Sequence, residues 1–161
     1  MQCVGLYARV STDDQNVKQQ MDYLKEWASK NGYCVVRVVM DTESGRTPLT
    51  QRRRFLRLLD ESKTGSMDLI AVVNLDRLTR NWEDVVLIEK HFREHWNVCK
   101  LVSCGDSVDL GNASGRLMFR MKMALCCFMP EDMREKQEIG IARARKEGKY
   151  RGRKKGCRNL G

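Results

Sequence analysis

Tyr7-Ala8-Arg9-Val10-Ser11-Thr12 closes the first apolar run of the chain, which begins at Val4, and its reading decides the fold. Alternate residues of a strand share a face, so Tyr7, Arg9 and Ser11 project to one side while Ala8 and Val10 take the other. A strand of this kind delivers a hydroxyl and a guanidinium to its own carboxyl end. A strand running into a Ser-Thr-Asp-Asp helix cap would account for the same letters. The rest of the chain separates the two readings.

Working outward, Val17, Met21, Leu24, Trp27 and Ala28 recur at helical spacing until Asn31-Gly32 stops them. Tyr33 to Met40 is β-branched and apolar, a second strand that ends at Asp41 and opens into the loop Glu43-Ser44-Gly45-Arg46-Thr47-Pro48, mobile enough by composition to move over a site. A helix follows from Arg52 through Leu59 to Lys63-Thr64-Gly65-Ser66. Leu69 to Leu75 is a third strand, apolar enough to be covered on both faces. It runs into Asp76-Arg77-Leu78-Thr79-Arg80, then a helix from Trp82 to His95 and a fourth strand from Val98 to Ser103. Strand and helix in alternation predict an α/β domain whose mainly parallel central sheet of four to five strands is flanked by helices. Ligands of such sheets bind outside the carboxyl ends of the strands. Ser11, Asp41, and Asp76 with Arg77 each follow a different strand and meet at that edge.

The last third differs. Leu117, Met121, Leu125 and Phe128 repeat every three or four positions after Gly115, which predicts a long helix with an apolar packing face turned to its own domain or to a second subunit. Pro130 is expected to kink or end that helix. The division expected is 1–112 for the α/β domain, 113–147 for the long helix and 148–161 for a basic arm, disordered without a partner.

Charge supports this division. Residues 1–110 hold 16 Lys and Arg against 16 Asp and Glu, whereas residues 111–161 hold 14 against 5, so the net charge of +9 lies wholly in the last third. Concentrated basic side chains displace the counterions condensed on phosphates, which makes nucleic acid the natural partner. No apolar run reaches the ~20 residues of a membrane span and no signal peptide opens the chain, so a cytoplasmic location is expected. Among the seven cysteines, Cys3, Cys34, Cys99 and Cys104 sit in or beside apolar runs and no CxxC pair occurs, which reads as buried thiols rather than disulfides.

The chemistry these residues suggest is phosphoryl transfer. A serine hydroxyl needs activation to attack. His91 and His95 lie within a helix, and their i, i+4 spacing lacks a third metal ligand of convincing spacing. The strand ends offer arginine instead: Arg9, Arg77, Arg80 and one of Arg52 to Arg54. Guanidinium groups bind phosphate oxygens in bidentate fashion and offset the charge of a phosphoryl transition state.

Tyr7-Ala8-Arg9-Val10-Ser11-Thr12, Asp41-Thr42-Glu43-Ser44-Gly45, Leu75-Asp76-Arg77-Leu78-Thr79-Arg80 and Gly115-Arg116-Leu117-Met118-Phe119, in this order, resemble the resolvase/invertase family of serine site-specific recombinases over about residues 1–155. The resemblance implies a resolvase-like catalytic domain followed by a long oligomerisation helix. It implies that Ser11 attacks double-stranded DNA to give a 5′-phosphoserine link, and that ends are exchanged and rejoined without metal, ATP or other cofactor. Dimers would assemble into a tetramer in the synaptic complex. Carried over by residue, Arg9, Arg77 and Arg80 contact the scissile phosphate and Asp76 is a candidate acid for the leaving 3′-hydroxyl. Gln20, Tyr7 and Asp41 match supporting positions, and Arg52, with Arg53 second, matches the loop arginine. Leu117, Met121, Leu125 and Phe128 would form the oligomer interface. Lys149, Arg151, Arg153, Lys154 and Lys155 resemble an arm that follows the minor groove, a use of such arms known for a related resolvase.

Two departures set the alternatives. Met129 and Pro130 stand where the family usually has glutamate followed by arginine, and no helix-turn-helix module follows before Gly161. These favour, as the runner-up, a non-catalytic DNA-binding or oligomerisation protein of the same fold; the intact Ser11 and arginine set oppose it. A phosphodiesterase acting on small substrates would leave the basic tail without a use.

Overall fold

A computed structural model describes residues 1–9, 14–41 and 47–146. Strands β1 (Cys3–Arg9), β2 (Cys34–Asp41), β3 (Leu69–Val72), β4 (Lys100–Ser103) and β5 (Val108–Asp109) alternate with helices α1 (Asp14–Lys30), α2 (Arg53–Ser62) and α3 (Trp82–Glu94), and α4 (Ala113–Lys146) follows. The sheet order is β2-β1-β3-β4-β5, parallel throughout except for β5, which pairs antiparallel with β4. The chain leaves β1 towards β2 and then returns to β1's other side for β3. That reversal opens a crevice beyond the carboxyl ends of β1 and β3, the place where α/β sheets take their ligands.

Alternation along the strands builds two cores. Val4, Leu6 and Ala8 of β1 join Leu69 and Ala71 of β3 under Met21, Leu24 and Ala28 of α1. Tyr7, Ile70 and Val72 face the other way, into a larger core with Phe55 and Leu58 of α2, Ile88 and Phe92 of α3, and Phe119 and Met123 of α4. All four residues of β3 are buried, as its unbroken apolar run predicts. Gly32 ends α1 in the left-handed conformation at φ 70°, and Tyr33 N–H donates back to Ala28 O at 2.9 Å.

Three expectations change. The third strand stops at Val72 rather than Leu75, and Leu75–Arg77 forms a 3₁₀ turn because side chains take its backbone groups: Leu75 N–H donates to Asp106 and Arg77 O accepts from Arg9. Cys99 is buried, but Cys34 lies exposed on the edge strand β2, and Cys3 and Cys104 are only partly covered. An edge strand has one neighbour to cover it, so Val36, Val38 and Met40 are exposed as well. Finally, α4 does not end at Pro130 but runs on to Lys146. A proline removes one backbone bond, at a cost of about 3 kcal/mol, and the flanking turns of a 34-residue helix absorb it.

On α4, Phe119 and Met123 are fully buried against the domain, whereas Leu117, Met121, Leu125 and Phe128 are all exposed. The apolar face read from the sequence is therefore turned away from its own domain. Among the described residues, no helix is long and apolar enough to cross a membrane.

Candidate active site

The crevice is walled by arginine. Arg9, the last residue of β1, is 5% exposed, and its Nε donates to Arg77 O at 2.9 Å, which fastens the end of β1 to the segment after β3. Burial lowers the Arg9 guanidinium from its ordinary range, and the positive charges of Arg52, Arg77 and Arg80 lower it further, while Tyr7 opposes them. Four cations thus share one field. Such a cluster is costly unless anions offset it.

Asp76 lies between the two outer arginines, its carboxylate 3.6 Å from Arg77 Nε and 3.9 Å from Arg80 Nη2. Both arginine side chains are about two-fifths exposed. Asp76 Oδ1 is buried with no hydrogen-bond partner among the described residues, and so is Gln20 Oε1 on α1. Buried acceptors without donors are uncommon and need a reason.

Arg52 behaves otherwise. It is fully buried; its Nε and Nη2 donate to Thr47 O at 2.9 and 2.7 Å, and its Nη1 donates to Leu78 O. Of the three arginines at 52–54, Arg52 is the one turned inward, and its fork donates to backbone carbonyls. Arg53 and Arg54 lie on the exposed side of α2, and Arg54 Nη1 donates to Met40 O at 2.8 Å. Beneath Arg52, Tyr7 Oη donates to Asp41 Oδ2 at 3.1 Å and the Tyr7 ring packs on Phe55. Burial first, then the Asp41 carboxylate, raises the Tyr7 hydroxyl well above the usual phenol range. Tyr7 is accordingly a neutral donor.

A second buried network was not legible in the sequence. Asp84, near the start of α3, accepts from Leu49 N–H at 3.0 Å and from Thr79 Oγ1 at 2.8 Å, and Thr79 Oγ1 accepts from Asn81 N–H at 3.0 Å. One carboxylate thereby joins the approach to Arg52 to the segment bearing Arg77 and Arg80. The available signal was the Thr79, Asn81 and Asp84 spacing at a helix start, where carboxylates also complement the helix dipole.

The two histidines have local uses. His91 Nε2 lies 3.0 Å from Ser62 Oγ, and His95 Nδ1 lies 2.9 Å from His91 O. Among the described residues, no three His, Cys, Asp or Glu side chains gather as a metal site. Ser11, the loop 42–46 and the basic residues Lys149, Arg151, Arg153, Lys154 and Lys155 lie outside the described residues.

The chain has known relatives. The sequence profile of the family described as "Resolvase, N terminal domain" matches residues 4–150. The chain belongs to the resolvase family of serine site-specific recombinases. It is 33% identical to the transposon Tn2501 resolvase of Escherichia coli over 156 residues, which span 95% of this chain and 76% of the relative. Among solved structures, the N-terminal catalytic domain of TP901-1 integrase superposes with a TM-score of 0.62 at 27% identity, covering 83% of this chain and 97% of that domain. A resolvase family site-specific recombinase from Streptococcus pneumoniae gives 0.61 at 25% identity, covering 90% and 99%. Serine recombinases are enzymes that cleave and rejoin DNA, and these relatives do not favour the non-catalytic alternative.

Proposed function

We propose that the chain cuts double-stranded DNA through Ser11, whose oxygen attacks a scissile phosphodiester, joins the phosphorus as a 5′-phosphoserine ester and releases a 3′-hydroxyl. The single observation that carries the reading is the convergence of Arg9, Arg77 and Arg80 on the crevice at the end of β1, two residues before that serine. Arg77 and Arg80 take the non-bridging oxygens, and Arg9, held from behind, fixes the field into which the phosphoryl charge develops. Arg52 keeps that wall in place from below and, once released from its carbonyl partners, is a further phosphate ligand. Asp76, the carboxylate beside both outer arginines, takes up a proton as Ser11 loses its own and hands one to the leaving 3′-oxygen; Gln20 turns its side-chain oxygen to the nucleophile side. One phosphate ester replaces another, so the energy of the cut is kept in the protein–DNA bond and religation by the reverse step needs no external source.

Self-association follows from α4. Leu117, Met121, Leu125 and Phe128 form an exposed apolar row, a surface suited to a second copy, first as a dimer and then as a tetramer when two DNA sites are paired. Lys149 to Lys155 form the arm that tracks the DNA backbone, and binding through it weakens steeply with salt.

The polarity of the cut tests the reading. A nicked duplex labelled at either end is incubated with the full chain and denatured in detergent. A 5′-phosphoserine link keeps the 3′-end label on the protein and frees the 5′-end label; the opposite partition contradicts the proposal.

A further inference from the structure

One carboxylate outside the catalytic set holds the arginine-bearing segment in place. Asp106, in the turn between β4 and β5, accepts Leu75 N–H at 2.6 Å and Ser103 Oγ at 2.7 Å through Oδ2, and Lys122 Nζ of α4 at 2.9 Å through Oδ1. Leu75 begins the 3₁₀ turn that carries Asp76 and Arg77. The remainder of the β4–β5 turn is fitted to the same strand end. Gly105 N–H donates to Val73 O at 2.7 Å, and a Cβ at Gly105 would lie only 2.9 Å from that oxygen.

α4 is fixed to this turn at two levels. Gly115 crosses β5 so closely that a Cβ there would collide with the Asp109 backbone, and the tie recurs two turns along the helix at Lys122. The same helix face continues towards the site. Burial raises the Cys126 thiol, one turn beyond Lys122, and the Asp76 and Asp106 carboxylates add to the shift. Burial also works to raise the Asp106 carboxyl, but the bonds from Leu75, Lys122 and Ser103 together hold it below its ordinary range. It is therefore an anion suited to grip both the amide and the ammonium.

We propose that Asp106 and Lys122 are positioning residues, through which α4 fixes the segment Leu75–Arg80 and with it the distance of Arg77 and Arg80 from the phosphate. The inference rests on the reading of that segment as the phosphate-binding wall. Neither side chain touches DNA or the reacting atoms. Both act through the Leu75 amide, whose carboxylate cap loses its orientation when the ammonium on its other oxygen is removed.

Two readouts on the full chain keep this inference separate from the reading beneath it. Amide hydrogen exchange without DNA addresses the positioning alone: in Lys122→Met, and in Asp106→Asn, Leu75 exchanges about tenfold faster while the amides of Leu69–Val72 are unchanged. Covalent adduct formation on supercoiled plasmid addresses the consequence: Lys122→Met lowers the saturating rate about tenfold, leaves the half-saturating DNA concentration unchanged, and is largely rescued by Lys122→Arg. Unaltered exchange at Leu75, or a rate loss that Lys122→Arg fails to rescue, overturns the inference. If the unaltered chain forms no adduct, the cleavage reading fails, and the exchange result still decides whether Lys122 positions the segment.

Discussion

The two pairs of arginines at the crevice are treated differently by the fold. Arg9 and Arg52 are 5% and 0% exposed and spend donors on the carbonyl oxygens of Arg77, Thr47 and Leu78, so they fix the shape of the wall. Arg77 and Arg80 are about two-fifths exposed and meet Asp76 only at 3.6 and 3.9 Å, so they are open to solvent rather than tied into the wall. The same contrast runs along α4, where Phe119 and Met123 are buried in the domain core while Leu117 and Leu125 stand outward. A group that the fold uses for itself and a group it presents to a partner differ in their surroundings even when the side chain is the same.

Substitutions that separate rate from stability break or sharpen this contrast. Arg77→Ala removes the proposed transition-state contact at a half-exposed position: single-turnover cleavage should fall about 10²–10³-fold while stability stays within about 0.5 kcal/mol. If the unfolding midpoint falls as well, the outward role assigned to Arg77 is wrong. Arg52→Met should instead lower stability, by about 3 kcal/mol in urea unfolding, because the carbonyls of Thr47 and Leu78 lose their donors. A variant of full stability would contradict the buried role.

On α4 the expected effect is on assembly. Leu125→Glu should weaken self-association about tenfold or more by sedimentation, with unfolding of the dissociated chain unchanged, since a charge at the centre of an apolar contact is costly and an exposed one is not. The smallest effect belongs to His91. Burial, then the nearby His95 and Lys63, push it down to about 4 from an ordinary 6.5. Between those values the unfolded chain binds a proton that the folded chain refuses. Stability is thus complete above about pH 6.5 and declines as the pH falls towards 4. Urea midpoints across that window should show the slope, and His91→Gln should flatten it.

Much of this was legible in the sequence, for identifiable reasons. Period-two alternation placed Tyr7 opposite Ala8, and the structure puts these two in different layers for that reason. The arginines after Leu75 were legible because strand ends of a parallel sheet converge whatever their separation along the chain. Burial was harder to read, since nothing in Arg52-Arg53-Arg54 says which side chain turns inward over Tyr7 and which two stay on the surface. The long-range bonds from the Leu49 amide to Asp84 and from the Leu75 amide to Asp106 were illegible because each joins segments some 30 residues apart, and an amide leaves no letter in the sequence. Pro130 shows the opposite case: a strong local stop signal does not end the helix around it.

Mapping the covalent bond tests the central claim most directly. The full chain is mixed with supercoiled plasmid, quenched in detergent, digested with nuclease and protease, and analysed by mass beside Ser11→Ala. The account predicts a nucleotide ester on Ser11 in the unaltered chain and none in the variant. A nucleotide on another residue, or strand breaks that persist in Ser11→Ala, would contradict it.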